Sequence, residues 1–331
     1  MSIKKSLLKS WVKPNALTRL LQPLSLVYRG AFALRKNAFD RGLLNRYRSP
    51  VPVLVVGNLT VGGTGKTPLV IYLVEQLSLL GFKPGVISRG YSGEAEAYPL
   101  AVFHDTPAQL CGDEPALIVR RTNVPMVVGP DRQASIELLI KEHDVDLIIS
   151  DDGLQHLALE RDIEICLIDD TASQENQNLL PAGPYRESMT RLLQVDYIVR
   201  HGGIVGNADN QFSMRLVPGE VTPVDPANKL SFPVDSQVQA VAGIGNPQRF
   251  FDTCHELGLS FTPHSFADHH HFTRDDIDFD GKPVLMTEKD AVKCGEIADE
   301  HHWYLPVDAE LGDGFANVVA DAVKQKMITR E

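Results

Sequence analysis

The stretch Val51-Pro-Val-Leu-Val-Val-Gly-Asn-Leu-Thr-Val-Gly-Gly-Thr-Gly-Lys-Thr-Pro68 decides the fold of this chain. Its first six residues form an apolar, largely β-branched run that ends in glycine, which is typical of a strand buried on both faces of a parallel sheet. Residues 67–80 follow with apolar positions at helical spacing, and Pro68 in the first turn costs no hydrogen bond there. The stretch therefore predicts a strand, a glycine-rich loop and a helix in succession.

The glycine-rich loop predicts a phosphate-binding site. Phosphate oxygens need converging backbone N–H donors, and glycines let the backbone turn tightly and approach closely. The helix N-terminus adds its dipole, Lys66 is expected to reach the β- and γ-phosphates of ATP, and the Thr67 hydroxyl is expected to ligate Mg²⁺. The usual loop has glycine at the position of Thr60, so this one is a variant of the Gly-Gly-x-Gly-Lys-Thr type. The predicted nucleotide-binding residues are Thr60, Val61, Gly62, Gly63, Thr64, Gly65, Lys66 and Thr67.

An acidic pair, Asp151 and Asp152, follows a second apolar run at residues 145–150. Ligands of open parallel sheets bind at the carboxyl edge of the strands, where this pair is delivered. One carboxylate is expected in the Mg²⁺ shell, while the other orients it or contacts the substrate. The alternative is that one of the two only caps the next helix.

Further apolar runs alternate with helical patterns along the chain, which predicts a doubly wound α/β domain. Strands are predicted at 85–88, 125–129, 146–150 and 163–168, with a helix around 136–140. Residues 205–235 lose this regularity, and alternation resumes with strands at 238–244, 283–287 and 303–307 and a helix at 247–257. The predicted fold is a P-loop NTPase-like parallel sheet with a smaller C-terminal α/β domain and an N-terminal amphipathic helix. The predicted boundaries are 1–48, 49–235 and 236–331.

Charge is divided unevenly along the 331 residues, whose net charge is −11. Residues 1–50 carry eleven Lys and Arg against the single acid Asp40, and the rest carries 21 basic and 42 acidic side chains. An uncharged stretch at 20–28 is far shorter than the ~20 apolar residues that span a bilayer. Apolar residues at helical spacing among basic ones are typical of a helix in a membrane interface. The prediction is a peripheral arm on an anionic membrane surface, rather than a nucleic-acid partner, and the alternative is a basic helix packed on its own domain.

The four cysteines form no C-x-x-C pair, which excludes a zinc ribbon and indicates a reduced, intracellular protein. Transfer of a phosphoryl group to a hydroxyl needs a base or orienting group beside the acceptor. Candidates are the acids of Gly112-Asp-Glu-Pro115, Asp105, and one histidine of the run His269-His-His271. A metal site at that run is disfavoured, because neighbouring side chains on a strand point to opposite faces. Residues alone thus indicate a Mg·ATP-dependent enzyme at a membrane surface.

In combination these segments resemble the tetraacyldisaccharide 4′-kinases, membrane-associated enzymes that phosphorylate the lipid A precursor. The resemblance runs in order through nearly the whole chain. Its segments are Val56–Pro68, Ser88–Tyr91, Gly112–Pro115, Asp151–His156, Leu180–Pro184 with Arg186 and Glu187, Ala242–Gly245, Ala267–His269 and Met286–Lys293. Threonine at the position of Thr60 is itself usual in that family.

The resemblance implies transfer of the γ-phosphate of ATP to the 4′-hydroxyl of a tetraacylated disaccharide 1-phosphate, at the cytoplasmic face of the bacterial inner membrane. It implies a catalytic pair of Asp113 and His269 with Lys66, and a magnesium shell of Thr67, Glu114, Asp151 and Asp152. The implied substrate contacts are Arg89, Tyr91, Arg132, Gln155 and His156. No obligate protein partner is implied.

Two other functions are compatible with the loop. A switch ATPase of the partitioning or targeting type shares the Gly-Gly-x-Gly-Lys-Thr loop, but such proteins commonly carry a lysine where this chain has Val61. A nucleotide-sensing membrane adaptor needs only the basic arm and the loop. Loss of ATP with and without the disaccharide lipid distinguishes the three functions.

Overall fold

The computed structural model describes residues 3–173, 175–203, 208–312 and 314–330. Its helices are α1 (Ile3–Val12), α2 (Ala16–Asp40), α3 (Lys66–Leu79), α4 (Ala108–Cys111), α5 (Asp113–Thr122), α6 (Arg132–Glu142), α7 (Pro247–Glu256), α8 (Arg274–Ile277), α9 (Glu288–Cys294) and α10 (Phe315–Ile328). Its strands are β1 (Val53–Asn58), β2 (Pro84–Ser88), β3 (Leu100–Val102), β4 (Met126–Val128), β5 (Leu147–Asp151), β6 (Ile163–Asp169), β7 (Tyr197–His201), β8 (Gln211–Pro218), β9 (Thr222–Pro223), β10 (Val238–Ala242), β11 (Phe261–Ser265), β12 (Val284–Thr287), β13 (His302–Leu305) and β14 (Val307–Leu311). The predicted strand, loop and helix are β1, the glycine-rich loop and α3.

The larger sheet has nine strands in the order β14-β8-β7-β6-β1-β5-β2-β4-β3. Its inner strands pair in parallel, and the edge strands β3 and β14 pair antiparallel with β4 and β8. Every residue of β1 is buried, and α3 buries its apolar positions against the sheet. Separate apolar clusters cover the two faces. The predicted doubly wound α/β fold is confirmed.

The register of the central strands sets the positions of the functional segments. In the β1–β5 pair Val56 lies beside Asp151, so the acidic pair leaves the sheet directly next to the glycine-rich loop. Close contact between β1 and the turn that follows β5 requires glycine at position 57, because a Cβ there would lie 2.7 Å from Leu154 Cγ. The sheet edge therefore holds the two predicted motifs together.

The smaller sheet has five strands in the order β11-β10-β12-β13-β9. Four are parallel, and β9 pairs antiparallel with β13. We call residues 222–305 the small lobe and the remaining described residues the large lobe. The chain enters the small lobe after Gly219 and returns to the large lobe at Pro306. The two crossings lie side by side, since Gly219 N donates to Pro306 O over 2.9 Å.

The boundary expected at 236–331 needs correction, because both ends of that segment are placed differently. Strand β9 joins the small sheet before residue 236, whereas β14 and α10 return to the larger sheet. The single strand expected at 303–307 is two strands, β13 and β14, which separate at Pro306 and enter different sheets. Alternation of apolar residues identifies a strand but not the sheet that it joins.

The N-terminal arm forms α1 and α2, which contact the large lobe along one side. Trp11 Nε1 donates to Pro181 O (2.9 Å), Ser25 Oγ to Leu179 O (2.8 Å), and Tyr28 OH to Arg186 O (3.0 Å). The other side of α2 exposes a row of apolar side chains: Leu20, Leu24, Leu26, Val27 and Leu34. In the part of the chain described here, no helix combines the length and the apolar character needed to cross a membrane. The arm thus packs on the protein and also presents an apolar face.

Candidate active site

The glycine-rich loop has the geometry of a phosphate cradle. Gly62 (φ 117°) and Gly65 (φ 95°) adopt positive φ, which favours glycine, and Gly65 leads directly into α3. Nothing lies within 4 Å of a Cβ placed on Gly62 or Gly63, so this stretch of backbone faces open space. The loop is held from behind, since Val61 N donates to Pro184 O (2.9 Å) and Asn58 Nδ2 to Thr64 Oγ1 (3.1 Å).

Lys66 extends from the first turn of α3 toward the acidic pair. Its Nζ donates to Asn58 Oδ1 (3.2 Å) and lies 3.5 Å from Asp152 Oδ1. Arg186 Nη1 donates to both oxygens of Asp152, at 3.0 and 2.8 Å. Burial by itself would raise the pKa of Asp152, but Lys66 and Arg186 outweigh it and hold that pKa below its usual value. Asp152 also has a positive φ of 49° and lies in a turn, so it caps no helix.

Asp151 lies in the opposite electrostatic situation. It is buried, and its Oδ1 has no hydrogen-bond partner among the described residues. Burial, together with the charges of Glu114 and Asp152, raises its pKa to about 7. A buried, unpartnered carboxylate oxygen among further acids is a fitting ligand for a divalent cation, which removes this electrostatic cost.

The residues present therefore fit Mg²⁺. The described residues bring together no group of three or more His, Cys, Asp or Glu side chains suited to a metal ion. Mg²⁺ does not need such a group, because it keeps several waters and binds one or two carboxylates together with substrate phosphates. Asp151 and Glu114 can supply carboxylates, and Thr67 offers a hydroxyl from the first turn of α3.

Asp113 and His269, 156 positions apart in sequence, meet across the two lobes. His269 Nδ1 lies 3.0 Å from Asp113 Oδ2. Asp113 is the first residue of α5, and Gly112 before it has φ 98° and is so close to Tyr91 O that a Cβ would lie 2.6 Å away. His269 has φ 59°, a conformation uncommon outside glycine, within a turn. Burial alone would raise the pKa of Asp113, but the His269 hydrogen bond and the charges of Lys293 and Lys289 lower it.

Glu114 is paired with a residue that the sequence analysis did not assign to the site. Lys289 Nζ, on α9 of the small lobe, donates to Glu114 Oε1 over 2.9 Å. Lys293, one turn further on, lies 3.8 Å from Asp113 Oδ2. Arg186 was likewise not assigned to the site. All three lie in segments that carry the family resemblance, which was the available signal, but sequence spacing does not show that they reach the acids.

The predicted substrate residues divide into two groups. Tyr91 is exposed and packs edge-on against His269, with ring centroids 5.3 Å apart, and Gln155 Oε1 accepts from Arg186 Nη1 over 3.2 Å. Arg132 and His156 instead line a separate cavity of about 310 Å³, together with residues 45–48 at the end of the arm. Arg89 is exposed. Burial lowers the pKa of Arg132 to about 10, and the positive charge of Arg89 adds to this effect.

The other candidates lie outside this cluster. Asp105 is exposed in a turn. His270 Nε2 lies 3.2 Å from Asp276 Oδ2, and His271 is exposed. The three histidines occupy a turn and the segment after it, not the strand assumed in the sequence argument, because β11 ends at Ser265. Of this run, His269 contacts Asp113 directly, and His271 lines the same small cavity as Asp113.

Comparison with known proteins decides the family. The sequence matches the family described as tetraacyldisaccharide-1-P 4′-kinase (LpxK) over residues 17–324. The chain belongs to the tetraacyldisaccharide 4′-kinase family. It is therefore a kinase, and a switch ATPase receives no support.

Relatives and a solved structure agree over almost the full length. The tetraacyldisaccharide 4′-kinase of Vibrio cholerae serotype O1 is 43% identical over 327 residues, covering 96% of this chain and 97% of that protein. The enzyme of Shewanella sp. (strain ANA-3) is 46% identical over 319 residues, covering 96% and 94%. A crystal structure of LpxK from Aquifex aeolicus in complex with ATP is similar with a TM-score of 0.80 and 27% identity, covering 93% of this chain and 99% of that one.

Proposed function

We propose that this chain transfers the γ-phosphoryl group of ATP to the 4′-hydroxyl of a tetraacyldisaccharide 1-phosphate, giving the bis-phosphorylated lipid A precursor. The contact between Asp113 and His269, beside the glycine-rich loop, carries this proposal. A hydroxyl acceptor needs a proton acceptor at the transfer site, and a buried carboxylate fixed by a histidine supplies one. A simple switch ATPase has no need of a histidine from a second lobe.

Residues of the large lobe are proposed to bind the nucleotide. Backbone N–H groups of the loop and the N-terminus of α3 cradle the phosphates. Lys66, now held by Asn58 and Asp152, is placed to follow the charge on the transferring group. Bound Mg²⁺ supplies neutralisation of phosphate charge and alignment of the transferring group. Asp151, Glu114 and Thr67 are the proposed ligands, and Asp152 orients Lys66 and Arg186.

Asp113 is proposed as the group that orients the acceptor hydroxyl and accepts its proton. His269 Nδ1 holds Asp113 Oδ2, which fixes the plane of the carboxylate. Phosphoryl transfer depends mainly on in-line positioning, so a fixed carboxylate contributes through orientation as well as basicity. Tyr91, packed against His269, is placed to contact the sugar ring next to the acceptor.

Arg132 and His156 are proposed to bind a more distant, anionic part of the substrate. The cavity they line also receives Arg46, Arg48 and the acid Asp131, so the charge of its walls is positive on balance. Burial first, and then the charges of Arg132 and Arg161, lower the pKa of His156 to about 4, which leaves its imidazole neutral at neutral pH. A neutral imidazole among guanidinium groups is suited to hydrogen bonding with a sugar phosphate.

Phosphate transfer provides the direct test of the proposed reaction. With γ-labelled ATP, the full chain should label the disaccharide lipid in detergent micelles and should consume little ATP without the lipid. Lys66→Ala should lower turnover by roughly 10²- to 10³-fold and leave the melting temperature nearly unchanged. Lys324→Ala, an exposed lysine on α10, is the matched control. Equal ATP consumption with and without lipid would contradict a kinase of this specificity.

The apolar face of α2 is proposed to dock the protein on an anionic membrane, at the cytoplasmic face of the inner membrane where ATP is available. Exposed Leu20 (74%) and Val27 (68%) lie among the basic residues of the arm. Each basic residue near an anionic leaflet contributes about 1 kcal/mol. The opposite side of α2 contacts the large lobe, so point substitutions test this proposal more cleanly than removal of the arm.

Vesicles of phosphatidylethanolamine and phosphatidylglycerol provide the membrane test. Leu20→Ser with Val27→Ser should reduce vesicle binding several-fold, whereas Leu79→Ser with Ile328→Ser, equally exposed elsewhere (79% and 71%), should not. Added salt should weaken binding of the unaltered protein, since charge is screened within about 10 Å at 0.1 M. Unchanged binding by the α2 variant would favour a helix that serves only to pack on the protein.

A further inference from the structure

The segment Met286–Lys293 is part of the family resemblance but has no role in the reaction described so far. It forms the end of β12 and nearly all of α9 in the small lobe. Helix α9 lies against α5, where Glu288 at its start pairs with Arg121 at 3.0 Å and Arg120 Nη1 donates to Val292 O over 2.9 Å. Lys289 and Lys293, four residues apart, share the face that meets the beginning of α5.

Lys293 is buried at this contact and is held from three directions. Its Nζ lies 2.8 Å from Asp290 Oδ1, 3.8 Å from Asp113 Oδ2 and 4.8 Å from the centre of the Phe272 ring. Its side chain is 7% exposed, and that of Asp290 is fully buried. Nζ makes no hydrogen bond of regular geometry with any residue that the structure describes. The charge of Lys293 is thus fixed in place by ion pairs and a ring face.

Two cationic or donating groups converge on one oxygen of Asp113. His269 Nδ1 approaches Oδ2 at 3.0 Å, and Lys293 Nζ approaches the same atom at 3.8 Å. Within the described ranges, no hydrogen bond involves the other oxygen, Oδ1. Asp113, His269 and Lys293 also line one small cavity of about 20 Å³, which is large enough for a single water molecule. The arrangement holds Oδ2 and leaves Oδ1 without a hydrogen bond among the described residues.

We propose that Lys293 is a positioning residue for phosphoryl transfer, which acts by holding Asp113 Oδ2 together with His269 so that Oδ1 is presented to the acceptor hydroxyl. The inference rests on the proposed function, in which Asp113 receives the proton of that hydroxyl. Lys293 itself touches neither the acceptor nor the nucleotide in this scheme. Because it belongs to the small lobe, the orientation of the carboxylate depends on how that lobe sits against α5.

The competing explanation is purely structural. Asp290 is buried, accepts from Gly243 N (2.8 Å) and Thr287 Oγ1 (2.6 Å) through Oδ2, and needs a counter-charge for Oδ1. Lys293 could serve Asp290 alone. Removing one member of a buried ion pair destabilises a protein strongly, whereas replacing both members is often neutral. This difference separates the two explanations.

The experiment compares Lys293→Met, Lys293→Arg, and Lys293→Met combined with Asp290→Asn, in full-length protein with labelled ATP and micellar disaccharide lipid. Lys293→Met should lower kcat by roughly 10- to 100-fold with little change in KM for ATP, and Lys293→Arg should restore kcat to within a few-fold of the unaltered protein. The combined variant should regain the melting temperature but not kcat. Lys324→Met, on the far helix α10, is the control for the substitution itself.

A second comparison uses Asp113→Asn. If Lys293 acts through Asp113, adding Lys293→Met to Asp113→Asn should leave kcat nearly unchanged. Multiplied losses in that double variant, or recovery of kcat in the Asp290→Asn combination, would overturn the proposal. Lipid labelling by the unaltered protein in the same assay tests the reaction itself, so failure of the positioning role is distinguished from failure of the proposed function.

Discussion

Two acidic pairs flank the glycine-rich loop, and they differ in where their counter-charges come from. Asp151 and Asp152 end β5, and the cations next to Asp152, Lys66 and Arg186, belong to the large lobe. Asp113 and Glu114 begin α5 of the same lobe, but their partners His269, Lys289 and Lys293 belong to the small lobe. The ion pairs of Asp152 therefore lie within one lobe, whereas those of Asp113 and Glu114 form across the contact between the lobes.

This difference suggests a division of labour. Nucleotide and metal can be held by groups whose positions are set within one sheet. The proposed proton acceptor, Asp113, is held across the contact between the lobes, which are joined near Gly219 and Pro306. Coupling the proposed base to the arrangement of the lobes would make transfer depend on a closed site, which protects ATP from water.

The largest effect is expected from substitutions that break the Asp113–His269 pair across the lobes. Asp113→Asn and His269→Gln should each lower kcat by roughly 10²- to 10⁴-fold, while KM for ATP changes little because the loop is intact. The kcat of the double variant should be little lower than that of the less active single variant, since the two residues act as one unit. Steady-state kinetics on the disaccharide lipid would measure this, with exposed His255→Gln as control. A defect confined to ATP affinity would place the pair with the nucleotide instead.

The second prediction concerns pH and the pair within the large lobe. The pKa of Asp151 is raised to about 7 in the folded protein, from its ordinary value of 3.8, by burial and by the charges of Glu114 and Asp152. The folded state therefore binds a proton more tightly than the unfolded state, so this stabilisation is complete below pH 3.8 and is lost as pH rises through about 7. Relative to Asp151→Asn, the nucleotide-free and Mg²⁺-free protein should lose roughly 2–3 kcal/mol between pH 5 and 8.

Urea unfolding at several pH values would measure that difference. Mg²⁺ should reduce it, because a nearby cation favours the ionised carboxylate. If the unfolding free energies of the unaltered protein and Asp151→Asn changed in the same way with pH, the proton would be held by a neighbouring acid instead of Asp151. The two acidic pairs would then differ only in which lobe supplies their cationic partners.

The smallest effect is expected from a substitution that alters the contact between the lobes without removing a charge. A Cβ on Gly245, in the small lobe, would lie 3.3 Å from Gly63 N and 3.4 Å from Asp268 Oδ2. Gly245→Ala should shift the small lobe by a few tenths of an ångström and lower kcat only a few-fold, since roughly 1 Å of misplacement costs about 10²-fold. Gly295→Ala, where nothing lies within 4 Å, is the control. Equal activity of both variants would show that closure tolerates this contact.

Residue patterns alone predicted the α/β class, the strand–loop–helix unit and both acidic pairs. These are local or periodic properties: β1 reads as a buried run, and Gly65-Lys66-Thr67 opens α3 where the backbone requires glycine. The proximity of the loop and the acid-bearing strand was also predictable, because both lie at the carboxyl edge of one parallel sheet. Reaction and substrate came from the family resemblance rather than from any single spacing.

The folded structure was needed to show which charges meet which acids and to which sheet the last elements belong. Lys289 and Lys293 reach the acids only because α9 packs on α5, and the chain beyond the strand expected at 303–307 joins the larger sheet only because β14 pairs with β8. Such partners lie more than 80 positions apart, beyond the reach of helical or strand periodicity. Ion pairs over that separation depend on how whole lobes pack, and packing is a property of the folded chain rather than of any of its segments.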